Sequence, residues 1–172
     1  MIELLRKRRS VRKFKDESIE SEKIEILKEA VLRAPTSRNI MPWEFIFVTD
    51  KDKLKKLSEA KQHGSAFVAG APLAVVVCAD TDRSDVWVED CSIASIILQL
   101  TGLEQGLGSC WAQIRNRKHN ESESAEEYIQ KLFDIPERFA VESIIALGYP
   151  DEEKEPVPYS ALPLEKIHMQ EF

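Results

Sequence analysis

Residues 73–79 read LAVVVCA, a continuous apolar run of strand length. A run without polar alternation predicts a strand that is covered on both faces and is therefore central in its sheet. Residues 86–103 read VWVEDCSIASIILQLTGL and predict a long helix. Its apolar residues surround most of its circumference, so the helix must be buried nearly all round. A chain of 172 residues can hardly cover such a helix alone, and we therefore expect a homodimer.

The segment before residue 73 predicts three helices and one strand. A short amphipathic helix begins near Ile2, and a second helix has Ser21 as its N-cap and ends before Pro35. A strand over residues 45–49 is followed by a short helix that Asp50 caps.

The segment after residue 103 predicts two more strands and one more helix. A strand over 109–114 follows the Gly106-Leu107-Gly108 turn, and the capping-box spacing of Ser124 opens a helix. The last strand covers 143–147. Helices and strands mix without a regular βαβ alternation, which predicts an α+β fold. We expect one domain over 1–172, in which the proline-rich residues 151–172 form an extended C-terminal arm.

Composition limits the classes of function. The chain is 43% apolar and 31% charged, as folded globular proteins are, and its net charge of -6 repels nucleic acid and anionic membranes. No apolar stretch has the form of a membrane span or a signal peptide. The three cysteines form no CxxC pair, which disfavours disulfides and zinc and favours a cytoplasmic location. We expect no metal, no nucleic acid and no membrane partner.

A basic cluster occupies the first fifteen residues of this acidic chain. Arginine presents a planar fork of donors to phosphate oxygens, and a serine hydroxyl can complete the cradle. Residues of these types lie close together here and suit one phosphate monoester: Arg8, Arg9, Ser10 and Arg12. A solvated basic helix end, favoured by the helix dipole, remains an alternative. Nucleic-acid binding is disfavoured, because no aromatic residues interleave the basic ones.

A polar turn, APTSRNIMPW over residues 34–43, joins a predicted helix to a predicted strand. Irregular segments of this kind often contact ligands. The amide of Asn39 can both donate to and accept from the edge of a heterocycle. A simple turn would explain the same proline, serine and asparagine.

Four motifs recur in one order along the chain: RRSVRKF at 8–14, APTSRN at 34–39 with Pro42-Trp43, GLGSCW at 106–111 and LGYP at 147–150. Together they resemble the nitroreductase family of FMN proteins. The resemblance implies an α+β fold with a central, mainly antiparallel sheet flanked by helices. It also implies an intertwined homodimer with FMN at the subunit interface.

The resemblance further implies which residues bind the cofactor. The FMN phosphate is held by Arg8, Arg9, Ser10 and Arg12. The other subunit supplies Pro35, Thr36, Ser37 and Asn39. The isoalloxazine ring lies beside Trp111, Ala112 and Gln113, with the main-chain N–H of Gln113 as the best candidate to reach flavin N5. Asp90 approaches the cofactor from the partner chain.

The implied activity is that of an FMN-dependent oxidoreductase. NADH or NADPH delivers hydride to the flavin and leaves, and a small acceptor such as a nitroaromatic or a quinone then takes the electrons in a ping-pong cycle. The chemistry belongs to the flavin, so no catalytic side chain is required. A flavin-binding or sensing protein with little turnover is the alternative. Flavin destruction or dehalogenation is disfavoured, because this compact chain has little room for the added lid of such relatives.

Two departures from the family pattern concern the cofactor. Met41 stands where relatives often carry glutamine, and residues 156–160, PVPYS, contain no base where relatives often have one. Lys154 could replace the missing base. Because these two departures remove a polar contact and a base, we expect weaker FMN binding than is usual in the family.

Overall fold

The structure is a computed structural model that describes residues 1–172. The strands are β1 (Trp43–Val48), β2 (Leu73–Asp80), β3 (Gly108–Gln113) and β4 (Phe139–Gly148). The α-helices are α1 (Ile2–Lys7), α2 (Ser21–Leu32), α3 (Lys51–Ser58), α4 (Trp87–Glu104) and α5 (Ala125–Phe133). Single 3₁₀ segments occur at Ser37–Asn39, Ala66–Gly70, Tyr159–Ala161 and Leu164–Lys166.

The four strands form one antiparallel sheet in the order β1-β2-β4-β3. Trp43 lies opposite Ala79, and Gly108 lies opposite Gly148. Helices cover both faces of this sheet, and the predicted α+β fold with a central antiparallel sheet is confirmed.

Strand β2 is central, as its apolar sequence predicts. All eight of its residues are buried, because α2 and α4 pack on one face of the sheet while α3 and α5 pack on the other. Full burial of a valine or leucine side chain contributes roughly 1.5–3 kcal/mol. The two apolar cores that meet at β2 therefore stabilise the centre of the sheet, and β1 and β3 form its edges.

Helix α4 has the nearly continuous apolar surface that the sequence predicts. Cys91, Ala94 and Leu98 are fully buried against the sheet. On the outer side, however, Ile93 is 39% exposed and Ile96 is 37% exposed. Part of the apolar surface of α4 is thus left uncovered within this chain.

Several element boundaries differ from the predictions by one or more residues, among them the starts of α2, β1 and β4. Ser21 is the first helical residue of α2, and Glu20 occupies the N-cap position without a side-chain capping bond. Strand β1 begins earlier than predicted, at Trp43, directly after Pro42. Strand β4 also begins earlier, at Phe139, because the charged Glu142 lies buried within it instead of ending it.

Two capping predictions are confirmed. The Asp50 side chain accepts from the Lys53 main chain at the start of α3. Ser124 and Glu127 form a reciprocal capping box at the start of α5. None of the helices combines the length and the hydropathy that a membrane span requires.

Candidate functional site

The N-terminal basic segment lies along the outer edge of β3. Ser10 forms a parallel bridge to Ser109, and the Val11 N–H donates to the Ser109 carbonyl at 2.9 Å. Main-chain groups on a strand alternate between its two sides. The main-chain groups of Ser109 point away from β4, toward the basic segment. By this alternation, the main-chain N–H groups of Trp111 and Gln113 also point away from β4, at the part of the edge beyond the basic segment. Ala112 instead points its main chain to β4 and buries its side chain in the core.

Gly108 allows this close approach. A Cβ atom at Gly108 would lie 2.8 Å from Cβ of Val11, which is too close for a non-bonded contact. The absence of a side chain therefore lets the basic segment lie directly against the start of β3.

A cavity of about 210 Å³ lies where the basic segment, the end of α4 and residues 150–154 meet. Four basic side chains and one acidic side chain line it: Lys7, Arg8, Arg9, Lys154 and Glu152. The remaining wall includes Gln99 and Ser109. The cavity is small, open and cationic, which suits an anionic group the size of a phosphate.

The start of the C-terminal arm is tied to this basic segment. The Arg9 guanidinium donates to the Glu155 carbonyl, so Arg9 already has a partner within the chain. The Glu152 carboxylate accepts the main-chain N–H of Arg12 at 2.5 Å and of Lys13 at 3.2 Å, and these bonds lower its pKa. The sequence reasoning missed Glu152, whose contact with Arg12 spans 140 positions.

Positive charge continues from the cavity along β3. Burial raises the pKa of the Cys110 thiol, while Arg12, a hydrogen bond with Ser10, Lys154 and Lys61 oppose that rise. Burial and the charge of Arg117 lower the pKa of Lys61. Lys61 was not predicted, because nothing local in its sequence places it beside β3.

Trp111 and Gln113 hold each other by their side chains. The Trp111 Nε1–H donates to Gln113 Oε1 at 2.9 Å, and Gln113 Nε2 donates to the Arg115 carbonyl at 3.3 Å. Gln113 Nε2 also lies 3.4 Å from Glu142 Oε1. Since the side chain of Gln113 has these partners, its main-chain N–H is the group available to a ligand at the edge.

Glu142 is a buried acid that the sequence reasoning missed. It is 3% exposed, and its Oε2 atom has no hydrogen-bond partner. Burial raises the pKa of Glu142, and the Gln113 hydrogen bond and the charge of Arg115 partly oppose the rise. The available signal was a single charge within an apolar strand.

The polar turn is held in an unusual backbone conformation. Arg38, Asn39 and Met41 have positive φ angles of 51°, 55° and 51°. Thr36 Oγ1 accepts the Met41 N–H at 3.0 Å, and Asp90 Oδ1 accepts the Ser37 N–H at 2.9 Å.

The two predicted halves of the site are far apart within one chain. The turn precedes β1, whereas the basic segment borders β3, and these are the two outer strands of the sheet. Three strand spacings amount to about 14 Å. One group contains Arg8, Arg9, Ser10 and Arg12 with Trp111, Ala112 and Gln113. The other contains Pro35, Thr36, Ser37 and Asn39 with Asp90.

Comparisons with known proteins give one consistent result. The model of the nitroreductase family matches residues 5–149. A solved structure, an FMN-dependent nitroreductase from Clostridium difficile R20291, is 46% identical, with a TM-score of 0.98 and 100% of both chains covered.

Two curated relatives come from archaea and are provisionally named NADH dehydrogenase/NAD(P)H nitroreductase. The Archaeoglobus fulgidus protein is 38% identical over 158 residues, which cover 90% of this chain and 87% of the relative. The Methanothermobacter thermautotrophicus protein is 34% identical over 175 residues, which cover 100% of this chain and 87% of the relative.

Proposed function

Because the chain belongs to the nitroreductase family of oxidoreductases, we propose that it binds FMN and transfers electrons from NADH or NADPH to a small acceptor. The observation that carries the proposal is the cationic cavity beside the open edge of β3. A phosphate group and a flat ring with hydrogen-bonding edges need these two features side by side.

The residues at this edge fit FMN. Arg8 and Lys154 line the cavity and would hold the phosphate, with Ser10 and Arg12 next to them. The outward main-chain N–H groups of Trp111 and Gln113 would face the ring, and Gln113 is our candidate for flavin N5. Each hydrogen bond to a charged group contributes about 1.5–3 kcal/mol.

We propose a smaller part for Arg9 in phosphate binding than the sequence suggested. Its guanidinium bonds to the Glu155 carbonyl and so fastens the arm beside the cavity. Glu152 occupies two main-chain donors of the basic segment. Because Lys154 also lines the cavity, we propose that it supplies the basic side chain that residues 156–160 lack.

FMN, when bound, supplies the chemistry of hydride acceptance and electron donation. The chain contributes binding and electrostatics. Two of the three cations near Cys110, Arg12 and Lys61, would stabilise the negative charge that arrives with the hydride. Nicotinamide and acceptor would use the same exposed face in turn, which gives a ping-pong cycle.

We propose that a second copy completes the site in an intertwined homodimer. The polar turn lies on the opposite edge of the sheet from the cavity, so it reaches a cofactor only from a partner subunit. The uncovered Ile93 and Ile96 of α4 support such an interface. The arm supports it too, because its apolar side chains Ile167, Met169 and Phe172 are exposed.

The first experiment measures cofactor binding and turnover with the wild-type protein. Purified protein is expected to show a flavin absorption spectrum, to release FMN on heating and to elute as a dimer. With FMN bound, it should oxidise NADH or NADPH steadily when a quinone or a nitroaromatic is added. A colourless protein that does not take up added FMN would overturn the proposal.

The same assay separates the alternative function. A flavin-binding or sensing protein would hold FMN but show no sustained oxidation of either nicotinamide with any acceptor tested. Because Met41 replaces the glutamine that relatives often carry, weaker FMN binding is still expected. Free FMN is therefore added to every reaction, so that low occupancy is not mistaken for low turnover.

A further inference from the structure

The polar turn stores backbone strain. Three of its non-glycine residues, Arg38, Asn39 and Met41, have left-handed φ angles. Such residues cost on the order of 1 kcal/mol each and persist only where the surroundings hold them. The turn therefore depends on contacts from outside itself.

Those contacts come from one stretch, residues 80–90. The Asp80 N–H donates to the Pro42 carbonyl at 2.9 Å, and Arg83 donates to the Ile40 carbonyl at 2.7 Å. Arg38 pairs with Asp85 at 2.6 Å, but both side chains of this pair are mostly exposed, so the pair contributes little.

Asp90 is the buried contact among them. It is 2% exposed, and Ser37 donates its N–H to Oδ1 at 2.9 Å. The Ser84 hydroxyl lies 3.4 Å from Oδ2, which makes it the donor to the second oxygen. Both carboxylate oxygens thus have partners within the chain, and little of the side chain reaches the surface.

We infer that Asp90 is a positioning residue that holds the polar turn in its binding conformation and does not itself touch the cofactor. This inference rests on the proposed function and refines the role that the resemblance implied for Asp90. A hydrogen bond to a charged acceptor is roughly twice as strong as a neutral one. It can therefore keep the strained turn ordered before a ligand arrives.

Preorganisation matters here because the turn would reach FMN across a subunit interface. A turn that is ordered only on binding loses conformational entropy at that moment, which weakens the affinity. A turn already fixed by Asp90 avoids this loss.

A simpler reading is that Asp90 only stabilises the positive end of the α4 dipole, since it lies in the first helical turn. Glu89 provides the matched control. It lies in the same helical turn, and it makes no bond to the polar turn. Loss of a dipole effect would change both variants. Loss of the bond by which Asp90 holds the turn, which we call the clamp, would change only the Asp90 variants.

The experiment compares Asp90→Ala, Asp90→Asn and Glu89→Ala with the wild type. FMN affinity is measured from the change in flavin fluorescence on mixing with the FMN-free protein, and hydrogen exchange at residues 36–41 is measured without FMN. We expect Asp90→Ala to weaken FMN binding about tenfold and to speed exchange at Ser37. The asparagine side chain retains an acceptor oxygen, so Asp90→Asn should restore most of the affinity, and Glu89→Ala should match the wild type.

Equal FMN affinity and equal exchange in the wild type and a folded Asp90→Ala would overturn the inference, as would an equal effect of Glu89→Ala. If Asp90→Ala does not fold, Asp90→Asn decides, because its neutral oxygen accepts a weaker bond from the Ser37 N–H than the carboxylate does: moderately faster exchange at Ser37 with an unchanged unfolding midpoint supports the clamp, and unchanged exchange opposes it. Failure of the wild type to bind FMN would instead reject the proposed function, while the exchange measurement still tests the clamp.

Discussion

The cavity beside β3 and the turn before β1 lie on opposite edges of one sheet and are built differently. The β3 edge has ordinary strand backbone and gathers positive charge around a small cavity. The turn has strained backbone, and a buried acid holds it. The first region is suited to bind by charge and the second by shape.

This difference predicts different consequences of mutation. Loss of charge at the β3 edge should change affinity while the fold stays intact, because the basic side chains lie at the surface. Loss of a contact at the turn should change the order of the backbone first and the affinity as a result.

The largest effect is expected from removing two cations of the cavity together. Arg8→Ala combined with Lys154→Ala should weaken FMN binding by a factor of roughly a hundred or more, since each charged contact contributes about 1.5–3 kcal/mol. Titration of the FMN-free protein with FMN measures this loss. Lys15→Ala serves as the control, because Lys15 is a basic residue of the same segment outside the cavity. Unchanged FMN affinity in the double variant would show that Arg8 and Lys154 do not hold the phosphate.

Gly108→Ala should damage the same edge by shape instead of charge. Its Cβ would lie 2.8 Å from Val11, so the basic segment must move away from β3. Overpacking of this kind costs about 1–3 kcal/mol of the free energy of unfolding, measured by urea denaturation. Gly70→Ala is the control, because no atom lies within 4 Å of its Cβ position. If both variants were equally stable, the close approach at Gly108 would not matter.

Local patterns predicted most of the fold, and the contacts that build the site required the structure. β2 is apolar from Leu73 to Ala79, and the Ser124 capping box lies within four residues, so both could be predicted. Glu142 reads as the end of a strand, because a sequence does not show that a charge will be buried. Ser37 and Asp90 are 53 positions apart, and no local pattern pairs them.

A smaller effect is expected at the far end of the turn. Thr36→Val keeps the side-chain shape but removes the hydroxyl that accepts the Met41 N–H. Loss of one neutral hydrogen bond corresponds to about 1 kcal/mol, so FMN affinity should fall about fivefold. Exchange of the Met41 amide should become faster, as the loss of order precedes the loss of affinity. A loss of FMN affinity with unchanged exchange of the Met41 amide would contradict this sequence of effects. Thr49→Val, which lies outside the turn, controls for the substitution itself.

The smallest effect concerns pH and the buried Glu142. Burial raises the pKa of this carboxyl in the folded protein above its ordinary value of 4.5. Because the folded state raises this pKa, protonated Glu142 stabilises the fold relative to the unfolded chain. This stabilisation is complete below pH 4.5 and is lost as pH rises through the pKa of the folded state.

Glu142→Gln imitates the protonated form and removes the titration. We expect the variant to gain up to about 1 kcal/mol in the free energy of unfolding at pH 8 and to match the wild type at pH 4. Parallel urea titrations at the two pH values measure the difference, with the exposed Glu137→Gln as control. Because the introduced amide still offers an oxygen to Gln113, the β3 edge should keep its FMN affinity. A variant that loses stability at pH 8 would show instead that the ionised Glu142 is needed, with Arg115 as its partner.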